Sequence, residues 1–204
     1  MIYSDRRQLP NGCPLIELVV LLAAVLALIV YLTGIYNGLV NLRENIKVSW
    51  ANLDVLLKQR HDELPKLVET CNRYMQFEQD TLEKVMRARA SVSQASQSGD
   101  VAAVGAAEQQ LRAGMTRLFA VAENYPQLKS DETFKQLQSR ITALEESIAD
   151  RRELYNDQVN LNNIRVGTFP DALVARRFGF LPARLLEFSG EEKADVDLGA
   201  LFRA

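Results

Sequence analysis

Residues 18–35 read LVVLLAAVLALIVYLTGI, 18 residues without a charge or a proline. At about 1.5 Å of rise per residue such a helix is roughly 27 Å long, close to the hydrocarbon thickness of a bilayer. A cleaved signal peptide carries an apolar region of only about 7 to 15 residues and ends at a small-x-small site. This stretch is longer, and it passes through Tyr31 and Thr33 straight into IYNGLVNLREN with no such site. It reads as an uncleaved transmembrane helix over 15–35 after a short tail over 1–14, so the chain should stay with membranes through a carbonate wash. Tyr31 and Tyr36 fall where interfacial aromatics belong, and Glu17 marks the other edge.

Orientation does not follow from charge. Arg6 and Arg7 on the short side face Arg43 and Lys47 on the long side, a tie under the positive-inside count. Gly34 and Gly38 form a GxxxG at the end of the span, a spacing that lets two membrane helices approach closely, although glycines at that junction can equally loosen it. Cys13 reads as an unmodified juxtamembrane thiol, with palmitoylation as the alternative. Cys71 lies on an apolar helix stripe as a small hydrophobe.

Beyond the span the pattern is helical throughout, and no alternating β-branched run is long enough for a sheet. Apolar residues step by three and four through Leu39, Leu42, Ile46, Trp50, Leu53 and Leu57, then through Leu64, Leu67, Cys71, Met75, Leu82 and Val85. A third stripe, Val104, Leu111, Met115 and Leu118, follows Gly99-Asp100, a helix end and an N-cap. A fourth, Phe134, Leu137, Ile141, Leu144, Ile148 and Tyr155, follows Asn124-Tyr125-Pro126, with Ser130 as the expected cap. Leu53, Leu67, Leu118, Leu137, Ile141, Leu144 and Ile148 are the expected core, and the Glu and Lys residues between the stripes the solvated face. The fold class is therefore all-α: one N-terminal transmembrane helix, then an antiparallel up-down-up-down bundle over 36–166.

The joint at Leu64-Pro65 is the weak point of that division. Proline removes an amide donor and disfavours helix in the residue before it. Four rods of comparable length favour a turn there, with Asp62 capping a new helix. Against this, the stripe keeps phase across Pro65. With a turn, four helices return the C-terminus to the membrane; with a kink, it lies at the far end. The segment 167–204 begins as FPDALVARRFGFLPARLLEF over 169–188. Arg176, Arg177 and Arg184 among Phe178, Phe180 and leucines suit a lipid head-group surface, or a helix pair packed on the bundle. Glu191, Glu192, Asp195 and Asp197 make the end acidic.

With 24 Lys+Arg, 26 Asp+Glu, one His and two Cys, the chain offers no broad basic footprint for nucleic acid and no side-chain set for a structural zinc or a His-based triad. No phosphate loop, HExxH, GxSxG or paired-Cys motif occurs. His61 beside Asp62 reads as a helix-end polar contact. No catalytic residue, metal, cofactor or small-molecule substrate is expected; the expected partners are the bilayer and a protein, or a second copy of the chain.

The stretch YNGLVNLRENIKVSWANLDVLLKQRHDELPKLVETCNRY, then AENYPQLKS, RRELYNDQVNLNNIRVGTFP and ARRFGFLPARLLEF, resembles the LemA family of bacterial membrane proteins in order and spacing over about residues 31 to 188. The motif set is Tyr36-Asn37, Leu64-Pro65, Glu123-Asn124-Tyr125-Pro126, Tyr155-Asn156, Phe169-Pro170 and Gly179-Phe180 with Pro182. The resemblance implies a single-pass protein of the bacterial inner membrane with a cytoplasmic helical bundle and no established catalytic activity. His61 departs from it, standing where an aromatic is usual, and Ser93 to Ala107 is poor in large side chains. The expected function is a membrane-anchored helical scaffold or interaction module, with an accessory subunit that recruits a catalytic partner as the alternative.

Overall fold

A computed structural model describes residues 14–187. The N-terminal tail with Arg6, Arg7 and Cys13, and the acidic residues Glu191, Glu192, Asp195 and Asp197, lie outside the described residues. All the described elements are helices: α1 (Pro14–Asn72), α2 (Gln79–Ser98), α3 (Val101–Ala122), α4 (Pro126–Ser130), α5 (Glu132–Gly167) and α6 (Asp171–Phe178).

The first helix is a single element of 59 residues with Pro65 inside it. Its apolar N-terminal half is long enough to cross a membrane, and none of its most apolar window is buried in the protein. That exposure excludes the core helix of a soluble fold, whose apolar residues would be covered. From Ile35 onward the same helix joins the bundle.

The turn expected at Pro65 is not there. Proline in a helix leaves the carbonyl four residues back without its amide partner. That carbonyl belongs to His61, and the Arg89 guanidinium of α2 donates to it from Nε at 2.8 Å. Meanwhile Leu57, Leu64, Leu67 and Cys71 stay buried along one face across the proline. A donor from outside the helix and an unbroken apolar seam together hold it continuous. Asp62 therefore caps nothing, and His61 lies in mid-helix rather than at a helix end.

The chain reverses instead at Arg73–Glu78, where the Tyr74 and Met75 amides both donate to the Cys71 carbonyl. Met75 is fully buried and plugs this turn. The Tyr74 hydroxyl donates to Asp131 Oδ2 at 2.9 Å. Asp131 Oδ1 accepts from the Phe134 amide, so Asp131, not Ser130, is the N-cap of α5. Asp100 caps α3, and Gly99 ends α2 in the left-handed region at φ 69°.

Moving the turn to 73–78 leaves the number of long antiparallel rods at four: the lower part of α1, then α2, α3 and α5. Contacts between α1 and α5 run in opposite order along the two chains. They pair Gly38 with Arg165, Trp50 with Tyr155 and Arg60 with Glu145, and just beyond the two helix ends Tyr74 meets Asp131. The last helix thus brings the chain back to the end where α1 leaves the span. Leu53, Leu67, Leu118, Leu137, Ile141 and Ile148 are buried in the main core. Leu144 is only half-buried.

Candidate functional site

Two features of the bundle are built for more than packing, and the first is at the membrane end. The α5 helix stops at Gly167, and Arg165 Nε pairs with Asp171 Oδ2 at 2.5 Å, tying the end of α5 to the start of α6. Gly179, at φ 73°, then ends α6, and the Phe180 amide returns to the Ala175 carbonyl at 2.9 Å. This fold-back lays α6 against the last turns of the span. Val174, Ala175 and Phe180 join Ile35 and Leu39 in a second, separate apolar cluster. Tyr36 stacks edge-on against Phe178 at 4.9 Å and Phe180 at 5.7 Å, and the Arg43 guanidinium lies 5.4 Å over the Phe180 ring. Around this cluster Phe169, Leu173, Phe178 and Leu181 are exposed. Such a concentration of bare apolar side chains at one end, beside the foot of an apolar span, suits lipid better than water.

After α6 the chain runs back along the bundle as an extended strap, Leu181 to Glu187. Asn163 accepts from the Ala183 amide at 2.8 Å and donates to its carbonyl at 3.0 Å. Asn156, two turns earlier on α5, makes the same pair with Leu186 at 2.9 and 3.1 Å. Each side-chain amide stands in for one rung of a β-ladder. Beneath the strap's end, Gly105 leaves room for the Glu187 carbonyl, which a Cβ would strike.

The second feature is inside the bundle. Arg60 of α1 is 1 % exposed and is held by Glu108 of α3 through both carboxylate oxygens, and by Glu145 of α5 at 2.5 Å. Arg60 and Glu108 are both buried, Glu145 is partly exposed, and Arg112 stands close enough to act on Glu108 as well. Desolvation raises the Glu108 carboxyl above its ordinary value of 4.5, more than Arg60 lowers it. The guanidinium of Arg60 is held in its charged form by the two carboxylates despite burial. This is a clamp across three helices; no nucleophile adjoins it. Burial pushes the Cys71 thiol up to about 12, so at neutral pH it is no nucleophile either. His61 is lowered by burial and by Arg89, which keeps it neutral at pH 7 on the wall of an open groove between α1 and α2. No group of three or more His, Cys, Asp or Glu suited to a metal occurs among the described residues.

The LemA family model matches residues 49–198, more than half of the chain. The chain belongs to the LemA family. Among its LemA-like relatives, the magnetosome protein MamQ 2 of Paramagnetospirillum magneticum is 24 % identical over 92 % of this chain and 77 % of its own length. Protein LemA of Metamycoplasma hominis is 23 % identical over 97 % of this chain and 90 % of its own length. MamQ of Magnetospirillum gryphiswaldense is 22 % identical over 77 % of this chain and 67 % of its own. None of these names points to catalysis.

Against the sequence-based site residues, the fold of this LemA chain sorts the membrane-interface set. Tyr36, Arg177 and Phe178 are brought together at the junction of α1 and α6, with Arg176 exposed on α6 beside them in sequence and Tyr31 exposed on the span. Phe180 is a correction: it is buried within the protein at 7 % exposure and does not reach lipid. Gly34 meets nothing within 4 Å, whereas a Cβ at Gly38 would lie 2.5 Å from an Arg165 nitrogen of the same chain. Within the chain, Gly38 makes room for the Arg165 side chain of α5. The Arg60 clamp and the asparagine rungs were missed from sequence. Their only signal was an arginine on the core stripe between Leu57 and Leu64, and the asparagines at 156, 162 and 163.

Proposed function

We propose that this LemA-family chain is a non-catalytic, membrane-anchored scaffold of the bacterial inner membrane. It holds its cytoplasmic bundle at a set attitude to the bilayer and offers the outer helix faces to a protein partner or a second copy. One observation carries the reading: the chain meets the membrane end of the bundle twice, through α1 and again through α6, each packed on the other. A single span leaves a domain free to swing, whereas two contacts a few turns apart fix its tilt. The arginines at that end, Arg43, Arg165, Arg176 and Arg177, favour the leaflet richer in anionic lipid, which is the cytoplasmic one.

Photo-crosslinking in living cells tests this. Probes at Val48, Val55 and Phe77, exposed apolar positions down the length of the bundle, should give discrete protein adducts from at least one face, while a probe at Phe178 should give lipid. Proteolysis of spheroplasts should leave the bundle untouched. Full-length protein that is folded, yet gives no protein adduct at any of the three sites, rules out the scaffold reading; a bundle digested from outside rules out the orientation.

A further inference from the structure

Between α1 and α6 runs an open groove of about 570 Å³. Ile29, Leu32 and Tyr36 form one wall, Leu173 and Phe178 the other, and Arg177 sits at its lip. We infer that this groove binds one anionic phospholipid, an acyl chain between the two helices and the phosphate against Arg177 and its exposed neighbour Arg176. The inference rests on the membrane-anchored reading above and names the ligand of that same surface.

Three observations select this occupant. Depth comes first: Ile29 and Leu32 belong to the apolar span, and Ile29 to Tyr36 covers about 10 Å of helix axis, so the groove opens at the boundary of hydrocarbon and head groups. Its lining is apolar along its length, so water filling it would find almost no hydrogen-bond partner, whereas an acyl chain replaces like with like. Lastly, the cations lie only at the lip. Arg177 extends over the Phe178 ring at 5.9 Å, and neither Arg176 nor Arg177 faces a carboxylate within salt-bridge distance among the described residues. Arg165, by contrast, is engaged by Asp171. An anion at the lip thus meets charges that no carboxylate among the described residues neutralises, and a guanidinium binds a phosphate through two donors at once.

The full-length protein, reconstituted into nanodiscs of equal parts phosphatidylglycerol and phosphatidylcholine and released into the gas phase, should retain one phospholipid per chain, predominantly phosphatidylglycerol. Leu173→Trp fills the groove from an exposed position and should abolish retention. Arg177→Gln should keep the chain folded and cut the phosphatidylglycerol preference about fivefold, the equivalent of ~1 kcal/mol for one arginine at an anionic surface. Phe169→Ser, outside the groove, should change neither. Retention that survives Leu173→Trp with unchanged helicity, indifference to head-group charge, or a disulfide-linked dimer from Leu173→Cys in place of bound lipid would each overturn the inference. A carbonate wash of cell membranes carrying the full-length protein separates the two claims: protein washed free sinks the anchored reading itself, while protein that stays but retains no lipid from the nanodiscs sinks only the groove.

Discussion

The arginines at the two ends of the bundle do opposite jobs. Deep in the bundle, Arg60 and Arg89 turn inward and complete backbone and side-chain groups that the helices cannot satisfy alone. At the membrane end, Arg43 and Arg177 lie over the rings of Phe180 and Phe178, and Arg176 is exposed. Residue type is the same; what differs is the number of helices that converge on it. Where three helices surround a guanidinium, as at Arg60, both terminal nitrogens of its fork are engaged by carboxylates of the protein, and only Nε is left without a partner. Where α6 alone carries it on an outer face, as with Arg176 and Arg177, no carboxylate among the described residues takes up its donors. The lesson is that an arginine on a helical stripe cannot be read as surface until its neighbours are known.

Removing Arg60 is the strongest way to break this contrast. Arg60→Met leaves Glu108 buried without the cation that hydrogen-bonds it, and denaturant unfolding of the full-length protein in detergent should show a loss of about 3–5 kcal/mol. Adding Glu108→Gln should restore part of it, because the uncompensated charge is then gone; a purely additive double variant would mean the three groups do not act as one clamp.

A smaller effect, and a sharper one, belongs to Arg89. Arg89→Ala orphans the His61 carbonyl and should cost about 1–3 kcal/mol. In a Pro65→Ala background the residue at 65 recovers its own amide donor, so the same substitution should cost much less. Equal costs in both backgrounds would show that Arg89 packs against α1 without repairing it.

The pH dependence follows from Glu108. Its folded carboxyl titrates above the unfolded one, so its contribution to stability is full below pH 4.5 and declines as pH rises through the raised folded value. Glu108→Gln should therefore gain stability relative to the parent between acid and neutral pH. Parallel stability curves for the two proteins would contradict the burial of this group as a charge.

The smallest effects lie at the membrane end. Gly38→Ala pushes only the far end of the Arg165 side chain, which can swing, so thermal unfolding should register no more than ~1 kcal/mol. Arg176→Gln should leave stability within about 0.5 kcal/mol. A cost at Arg176 as large as at Arg89 would erase the distinction between the two ends.

How far the sequence was legible depends on whether the signal was local. The span, the helical stripes, the Gly99-Asp100 turn and the membrane-end residues Tyr36, Arg177 and Phe178 all declare themselves within a few neighbours. The turn at 73–78 did not, since it contains no Gly, Pro, Asp or Asn; the chain reverses there because Met75 fits the closing core and Tyr74 reaches Asp131. Leu144 and Glu145 show the same limit. At about 100° per residue they flank the line from Ile141 to Ile148 at nearly equal angles, and hydrophobicity favoured Leu144. Arg60 on the facing helix drew Glu145 inward instead.

Periodicity and the length of the apolar run, both properties of consecutive residues, were enough to determine one membrane span, an all-helical chain and the faces its helices bury. Whether Pro65 ends a helix, which glycine of Gly34 and Gly38 is covered, and which charges are interior were decided only when distant residues came together. Each of those outcomes depends on a donor or side chain supplied by another helix, Arg89 to the His61 carbonyl, Arg165 to Gly38 and Glu108 to Arg60. A residue 28 to 127 positions away in the chain leaves no mark on local pattern.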